Sequence, residues 1–185
     1  MLGNRPLLPT RWPLAHPDSR VEFSLRHLGV ATIHGAFTAF DGAVRADAGG
    51  ALRELELHVD ASSVDTGSPA RDAMLHEIGV FGTDLHPTLL FRSDWSYEKG
   101  RGREGMQGSL TMHGQTHVVE LIATPGTVTA DADGGGRRTY ATLVTGTIDR
   151  RAWGVAVHPL LEVGGVLLGH EVHVAIHVRA RVVDG

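Results

Sequence analysis

Apolar and polar side chains alternate with a period of two near the end of this chain. The even-numbered residues from Val172 to Val182 are all apolar, whereas the odd-numbered residues from Glu171 to Arg181 are polar except for Ala175. Because successive side chains of a strand point to opposite faces, this run predicts an amphipathic β-strand with one buried face.

The same alternation recurs at Val21–Leu25 and Leu55–Ala61. Turn-forming pairs such as Asp41-Gly42 and Gly49-Gly50 separate the runs. Many short strands with glycine-containing turns are typical of an antiparallel barrel, and about eight of them predict an all-β fold whose closure removes exposed edges. The further predicted strands are Thr32–Phe40, Ala43–Asp47, Thr88–Tyr97, Met106–Met112, Thr116–Thr124 and Thr139–Asp149.

One segment, Ser68–Gly79, does not follow the strand pattern. Ser68 is a favourable N-cap residue, Pro69 suits the first helical position, and Gly79 suits the left-handed position after a helix. The segment therefore predicts one short helix that covers part of the barrel.

Composition excludes several classes of protein. The 185 residues include no cysteine and carry a formal net charge of −4, which rules out disulfides and cysteine-ligated metals and argues against a nucleic-acid partner. No apolar stretch approaches the roughly 20 residues of a membrane span, and the N-terminus lacks a signal-peptide pattern. We therefore expect no membrane insertion, a cytoplasmic location, a disordered leader over residues 1–11 and one domain over residues 12–183.

Twelve histidines raise the question of a metal site. His173 and His177 have the spacing of a helical metal pair, but on a strand four residues span roughly 13 Å, which is too far for two side chains to hold one ion. Motifs of nucleophilic catalysis and of phosphate binding are also missing from the sequence. We therefore expect no metal, no cofactor and no enzymatic activity.

The predicted inner faces carry many small residues and few aromatic ones. A barrel with spare interior room can enclose a ligand, whereas tight packing of small residues would leave the barrel filled. The composition leaves both alternatives open.

Six blocks of sequence follow one another along the chain: Ser19–Gly29 with His34–Val44, Val59–Gly67 with Arg71–Leu75, Phe81 with His86–Ser93, Gly108–Gly114 with Val118–Leu121, Ile148–Gly154, and Gly169–Val174. In this order, the blocks resemble the YceI-like, polyisoprenoid-binding family. The resemblance implies an eight-stranded antiparallel lipocalin-like barrel around an apolar tunnel. It also implies a long-chain ligand such as an isoprenoid quinone, a polyprenyl phosphate or a fatty acyl derivative, and a homodimer in some members.

We predict that the apolar face of each strand, together with the helix, lines the ligand site. His27 shares a face with Phe23 and Leu25, and Arg26 and Arg71 are candidates for contact with an anionic head group; Arg71 could equally pair with a neighbouring strand. The predicted lining is Phe23, Leu25, Phe37, Phe40, Leu57, Val59, Met74, Leu75, Phe91, Leu110, Met112, Val144, Ile148, Trp153, Val174 and Ile176.

The predicted function is therefore that of a non-enzymatic binding or carrier protein for a long-chain apolar ligand. Two alternatives remain at this point. One is a filled barrel that acts by dimerising or by docking a partner, and the other is a histidine-dependent hydrolase of lipid-like substrates.

Overall fold

The computed structural model describes residues 11–27, 31–77, 81–130, 138–155 and 168–182, with backbone alone at His27 and Leu168. These residues form twelve strands, one α-helix, α1 (Pro69–Glu77), and two 3₁₀ turns, Ala61–Ser63 and Arg150–Trp153. The strands are β1 (Trp12–Pro13), β2 (Arg20–His27), β3 (Ala31–Phe37), β4 (Phe40–Ala46), β5 (Leu52–Asp60), β6 (Val64–Asp65), β7 (Thr88–Glu98), β8 (Glu104–Met112), β9 (Gln115–Ala123), β10 (Thr127–Ala130), β11 (Arg138–Asp149) and β12 (Leu168–Val182).

All twelve strands belong to one antiparallel sheet that curls around a core. Its order is β1-β4-β5-β7-β8-β9-β11-β12-β2-β3-β6, and β10 adds to β11 outside this path. The chain passes directly from β3 into β4 across Thr38 and Ala39, and Leu14, just after β1, forms a bridge with Ala180 of β12. These links bring the two ends of the sheet together, so the predicted all-β, lipocalin-like architecture is confirmed.

The structure has more strands than the predicted eight because it includes three short ones, β1, β6 and β10, of only two to four residues. The other nine strands correspond to the nine runs named in the sequence, although the break between β3 and β4 lies at Thr38 and Ala39 rather than after Phe40.

The Asp41-Gly42 turn predicted between two strands is wrong, because both residues lie within β4 and pair with His58 and Leu57. A Cβ atom on Gly42 would lie 2.3 Å from the carbonyl oxygen of Glu56. Glycine is therefore required here for close approach of the neighbouring backbone rather than for a turn.

Strand β12 confirms the alternation seen in the sequence. It pairs with β11 from Arg138↔Val182 to Asp149↔Glu171. On the outer face, His173 Nδ1 lies 2.9 Å from Thr147 Oγ1, and His177 Nε2 lies 3.3 Å from Glu22 Oε2. Within the five described ranges, no group of three histidine, aspartate or glutamate side chains could hold a metal ion.

Helix α1 begins at Pro69, as predicted, and the N–H of Asp72 donates to the Ser68 carbonyl at 3.0 Å. The predicted helix end at Gly79 lies outside the described residues. In the portion of the chain that the structure describes, no helix is both long and apolar enough to cross a membrane.

One end of the barrel is packed solid. Trp12, Leu52, Met106, Tyr140 and Val178 are each at most 2% exposed there. A cluster of charged residues lies beside them: Arg53 donates to Asp47 Oδ2 at 2.8 Å and to Glu104 Oε2 at 2.7 Å. The filled end leaves the remaining interior of the barrel as the place where a ligand could fit.

Candidate ligand-binding cavity

A cavity of about 200 Å³ lies inside the barrel. Eight strands contribute inward-facing apolar side chains to it, and residues of and around α1 and two residues after β11 contribute the others. The described lining consists of Val21, Phe23, Leu25, Ile33, Phe37, Leu57, Val59, Thr66, Arg71, Leu75, Phe81, Leu89, Phe91, Leu110, Met112, Val119, Leu121, Ile148, Arg150, Val155, Val172, Val174 and Ile176.

Aromatic rings form one wall of the cavity. The ring of Phe23 lies 5.4 Å from that of Phe37, which lies 5.7 Å from that of Phe81. Gly35 is directly opposite Phe23, and a Cβ atom there would be 2.4 Å from the Phe23 ring. The glycine therefore lets this ring lie across the neighbouring strand.

Among the described lining residues, three are polar: Thr66, Arg71 and Arg150. Arg71 Nε donates to Thr66 Oγ1 at 2.8 Å, and Arg71 Nη2 donates to the Thr66 carbonyl at 3.0 Å. Asp72 Oδ1 in turn accepts hydrogen bonds from the backbone N–H and the hydroxyl of Thr66, at 3.0 and 2.6 Å. This arrangement fixes the orientation of the Arg71 guanidinium.

Arg150 is the more deeply buried arginine, at 7% exposed. Its Nε donates to the Gly169 carbonyl at 3.1 Å and its Nη1 to the Val155 carbonyl at 2.6 Å. Burial lowers the pKa of Arg150 below its ordinary value. An arginine nevertheless stays charged in a protein, so Arg150 is a second cation beside the cavity.

No aspartate or glutamate belongs to the described lining, which therefore carries only positive charge. The nearest acidic residue in sequence to Arg150 is Asp149, and its carboxylate pairs with Arg151 at 2.9 Å. That pairing holds the pKa of Asp149 down at about 2.

Thirteen residues of the predicted site are brought together in this cavity. Their role in binding a ligand stays a prediction. They are Phe23, Leu25, Phe37, Leu57, Val59, Arg71, Leu75, Phe91, Leu110, Met112, Ile148, Val174 and Ile176.

Four predicted site residues do not line the cavity. Val144 is fully buried between Ala123 and Ile176. Trp153 is also buried, but it donates from Nε1 to the Leu110 carbonyl at 3.0 Å and does not line the cavity.

Phe40 and Met74 are the other two. Phe40 packs against the ring of His16 at 4.5 Å, and Met74 lies beside the lining residue Leu75 on α1 but does not itself line the cavity. The side chain of His27 lies outside the described residues.

Ten lining residues were not predicted. Extending the period-2 pattern would have found the six that lie on strands, namely Val21, Ile33, Leu89, Val119, Leu121 and Val172. Thr66, Phe81, Arg150 and Val155 lie outside the strands, and no sequence signal marks them as lining residues.

Comparisons with known proteins agree with this architecture. The model of the YceI-like domain family matches residues 12–180. UPF0312 proteins of Staphylococcus aureus strains N315 and USA300 are 32% identical over 155 residues, which is 83% of this chain and 87% of each relative.

Two solved structures share the fold at low sequence identity. BcnA of Burkholderia cenocepacia has a TM-score of 0.72 and 20% identity, covering 90% of this chain and 99% of that one. A polyisoprenoid binding domain from Saccharophagus degradans, implicated in plant cell wall breakdown, has a TM-score of 0.65 and 15% identity, covering 91% and 97%.

Proposed function

This chain belongs to the YceI-like domain family, and we propose that it is a non-enzymatic binding protein that holds a long-chain apolar ligand inside its barrel. The observation that carries the proposal is the cavity, in which 20 of the 23 described lining residues are apolar. Burying an apolar tail there gains about 25 cal/mol for each Å² removed from water.

The chemistry of the lining supports binding rather than catalysis. The described lining contains no histidine, serine, aspartate or glutamate, and its one hydroxyl belongs to Thr66. That hydroxyl already donates to Asp72 and accepts from Arg71. Nucleophilic catalysis needs a nucleophile next to a general base, and this lining supplies no such pair.

An isoprenoid is the ligand class that we favour. The domain from Saccharophagus degradans, which shares the fold, is described as polyisoprenoid binding. A fatty acyl chain is the second class that an apolar cavity of this kind would accept.

The direct test is organic extraction of the purified protein, followed by mass spectrometry against a mock purification. We expect a stoichiometric long-chain lipid, and its mass identifies the class. The parallel test uses the neutral dye N-phenyl-1-naphthylamine, whose fluorescence rises in an apolar site, with geranylgeraniol as competitor. A clean extract together with no dye uptake would overturn the proposal.

The adjacent residues Val118 and Val119 of β9 offer a matched pair of variants. Val119 lines the cavity, whereas Val118 faces outward and is 63% exposed. We expect Val119→Trp to fill the cavity and to weaken dye binding by about 10-fold or more, since the ligand loses the apolar surface it would bury. Val118→Trp should bind the dye like the unchanged protein.

Circular dichroism and the urea midpoint show whether both variants are folded, because an overfilled core can itself be destabilising. If Val119→Trp does not fold, Val174→Phe makes a smaller change in the same lining. Equal dye binding by a folded cavity variant and by Val118→Trp would count against this cavity as the ligand site.

A further inference from the structure

Two histidine side chains meet at the end of the barrel that lies opposite to its filled end. Strand β8 runs from Glu104, beside the filled end, to Met112, so the turn at His113 lies at the other end. The ring of His113 lies 6.2 Å from that of His86, in the loop between α1 and β7. We propose that this histidine pair is a pH-sensitive switch that closes the ligand cavity when both rings are neutral and loosens it when both are protonated. The inference rests on the proposed function, since it names the regulation of the same cavity.

Each ring of the histidine pair packs on the turn that carries the other ring. A Cβ atom on Gly82 would lie 2.5 Å from the His113 ring, and one on Gly114 would lie 2.6 Å from the His86 ring. Gly82 belongs to the loop of His86, because its carbonyl accepts a hydrogen bond of 2.8 Å from the His86 N–H, and Gly114 directly follows His113. The two histidines therefore join the loop to the turn between β8 and β9 by contacts in both directions.

The loop that is joined in this way forms part of the cavity wall. Phe81, at its start, lines the cavity, and its ring lies 5.7 Å from that of Phe37. On the other side of the histidine pair, Met112 also lines the cavity and directly precedes His113. Because the opposite end of the barrel is packed solid, movement of this loop is the route by which a ligand would leave.

No described carboxylate balances the charge of a protonated histidine pair. Within the described ranges, neither His86 nor His113 has a hydrogen bond or an ion pair through its ring, and Asp84, two residues before His86, is exposed and also has no ion pair. Histidine generally titrates between about pH 5 and 8, so mild acidification places two like charges on rings 6.2 Å apart. Their repulsion weakens the contact between the loop and the turn.

Three further ionisable side chains belong to the elements beside the histidine pair: His117 of β9, and Arg150 and Arg151 of the 3₁₀ turn after β11. His117 contacts the ring of Trp153 at 5.1 Å, and Arg151 is paired with Asp149. Each of the three is a cation or becomes one on protonation. None of them therefore opposes the repulsion between the two rings.

Release of a neutral dye at two pH values tests the inference. The complex with N-phenyl-1-naphthylamine is mixed with excess geranylgeraniol, and the dissociation rate is followed by stopped-flow fluorescence at pH 7.5 and pH 5.5. Neither probe changes its charge between these pH values, and EDTA keeps the histidines free of metal. We expect release to be about 5-fold faster at pH 5.5, which is the size of effect that two partly solvated like charges at this distance produce.

Variants assign the acceleration to the histidine pair. His86→Gln and His113→Asn each leave one charge without its partner, so either variant and the double variant should release the dye equally fast at both pH values. Asparagine suits position 113, where φ is 52°. His117→Gln is the matched control on the same hairpin and should keep the full acceleration. His86→Glu should reverse it, because a protonated His113 would then face a carboxylate.

The outcomes separate this inference from the proposed function. If the dye does not bind at pH 7.5, the proposed function fails and this inference fails with it. If the dye binds but leaves equally fast at both pH values, the histidine switch alone is overturned. An acceleration that survives His86→Gln or His113→Asn, or that His117→Gln removes, also overturns it. So does a loss of β-structure at pH 5.5 in circular dichroism, because release would then reflect unfolding.

Discussion

Replacing Arg53 with methionine is expected to destabilise the fold by about 3–5 kcal/mol at pH 7, which is the usual effect of removing one partner from a buried ion pair. The guanidinium lies between Asp47 and Glu104, whose side chains are 0% and 4% exposed. Without Arg53, two buried carboxylates would face each other with no cation between them. Urea unfolding followed by tryptophan fluorescence measures the change.

The pH dependence of this variant follows from the same cluster. Burial already raises the pKa of Glu104, and Asp47 raises it further, while Arg53 opposes both effects. Loss of Arg53 should therefore raise the pKa of Glu104 further. Because the folded state then binds a proton more tightly than the unfolded chain, stability should rise as the pH falls from 7 towards the ordinary glutamate pKa of 4.5.

In the unchanged protein, the pKa of Asp47 is shifted downward, in the opposite direction to that of Glu104. Although burial alone would raise it, the hydrogen bonds from Arg53 and from the N–H groups of Ala51 and Gly49 lower the pKa of Asp47 below 3.8. A carboxyl with a lowered pKa contributes stability that is lost only in more acidic solution. Because Arg53 limits the rise of the Glu104 pKa, the unchanged protein should gain less stability than the Arg53 variant between pH 7 and 4.5, and below pH 4 it should lose the contribution of Asp47.

Two further variants make this prediction specific. Arg92→Met is the same substitution at an arginine whose side chain is 67% exposed and lies 3.3 Å from Glu56, and it should cost about 0–1 kcal/mol. Adding Glu104→Gln to the Arg53 variant removes one of the two buried charges and should restore much of the lost stability. Equal effects of the Arg53 and Arg92 variants would contradict a buried network.

The strand predictions rest on local sequence patterns, and they fail where a contact with a distant part of the chain determines the structure. The alternation of Val172–Val182 specified a strand and its inner face because a period of two is a property of the backbone itself. Asp41-Gly42 was misread as a turn because the reason for its glycine, the close approach of Glu56, lies in another strand. The bend at Thr38 and Ala39 likewise has no signature in local sequence.

The residues of the candidate site also fall into two groups, those that local sequence predicts and those that it does not. The inward-facing strand residues could be identified by alternation, but this rule does not distinguish the hollow part of the barrel from the filled part. Val144 satisfies the pattern and yet packs into solid core, with no exposed surface. Arg150 and Val155 reach the cavity from a 3₁₀ turn and the residues that follow it, so their position depends on how β11 ends.

Trp12→Ala is expected to cost about 3–5 kcal/mol of stability, as large truncations in a packed core usually do. Trp12 is 2% exposed, and its ring lies 5.6 Å from that of Tyr140 at the filled end of the barrel. Strand β1 also pairs with β4, so the side chain anchors the segment that links β4 to β12. Urea unfolding of the variant measures the loss.

Trp95→Ala is the control for this truncation. Trp95 is 50% exposed on the outside of the barrel, where its ring lies 4.9 Å from that of Tyr97, and its removal should cost about 1 kcal/mol or less. A cost similar to that of Trp12→Ala would contradict the distinction between packed core and outer surface.

Trp12 also separates stability from binding, because it does not line the cavity. Below its unfolding transition, Trp12→Ala should therefore bind N-phenyl-1-naphthylamine like the unchanged protein, whereas Val119→Trp should lose the dye while staying folded. If Trp12→Ala instead lost the dye while still folded, the filled end would shape the cavity, and the two halves of the barrel would not be independent.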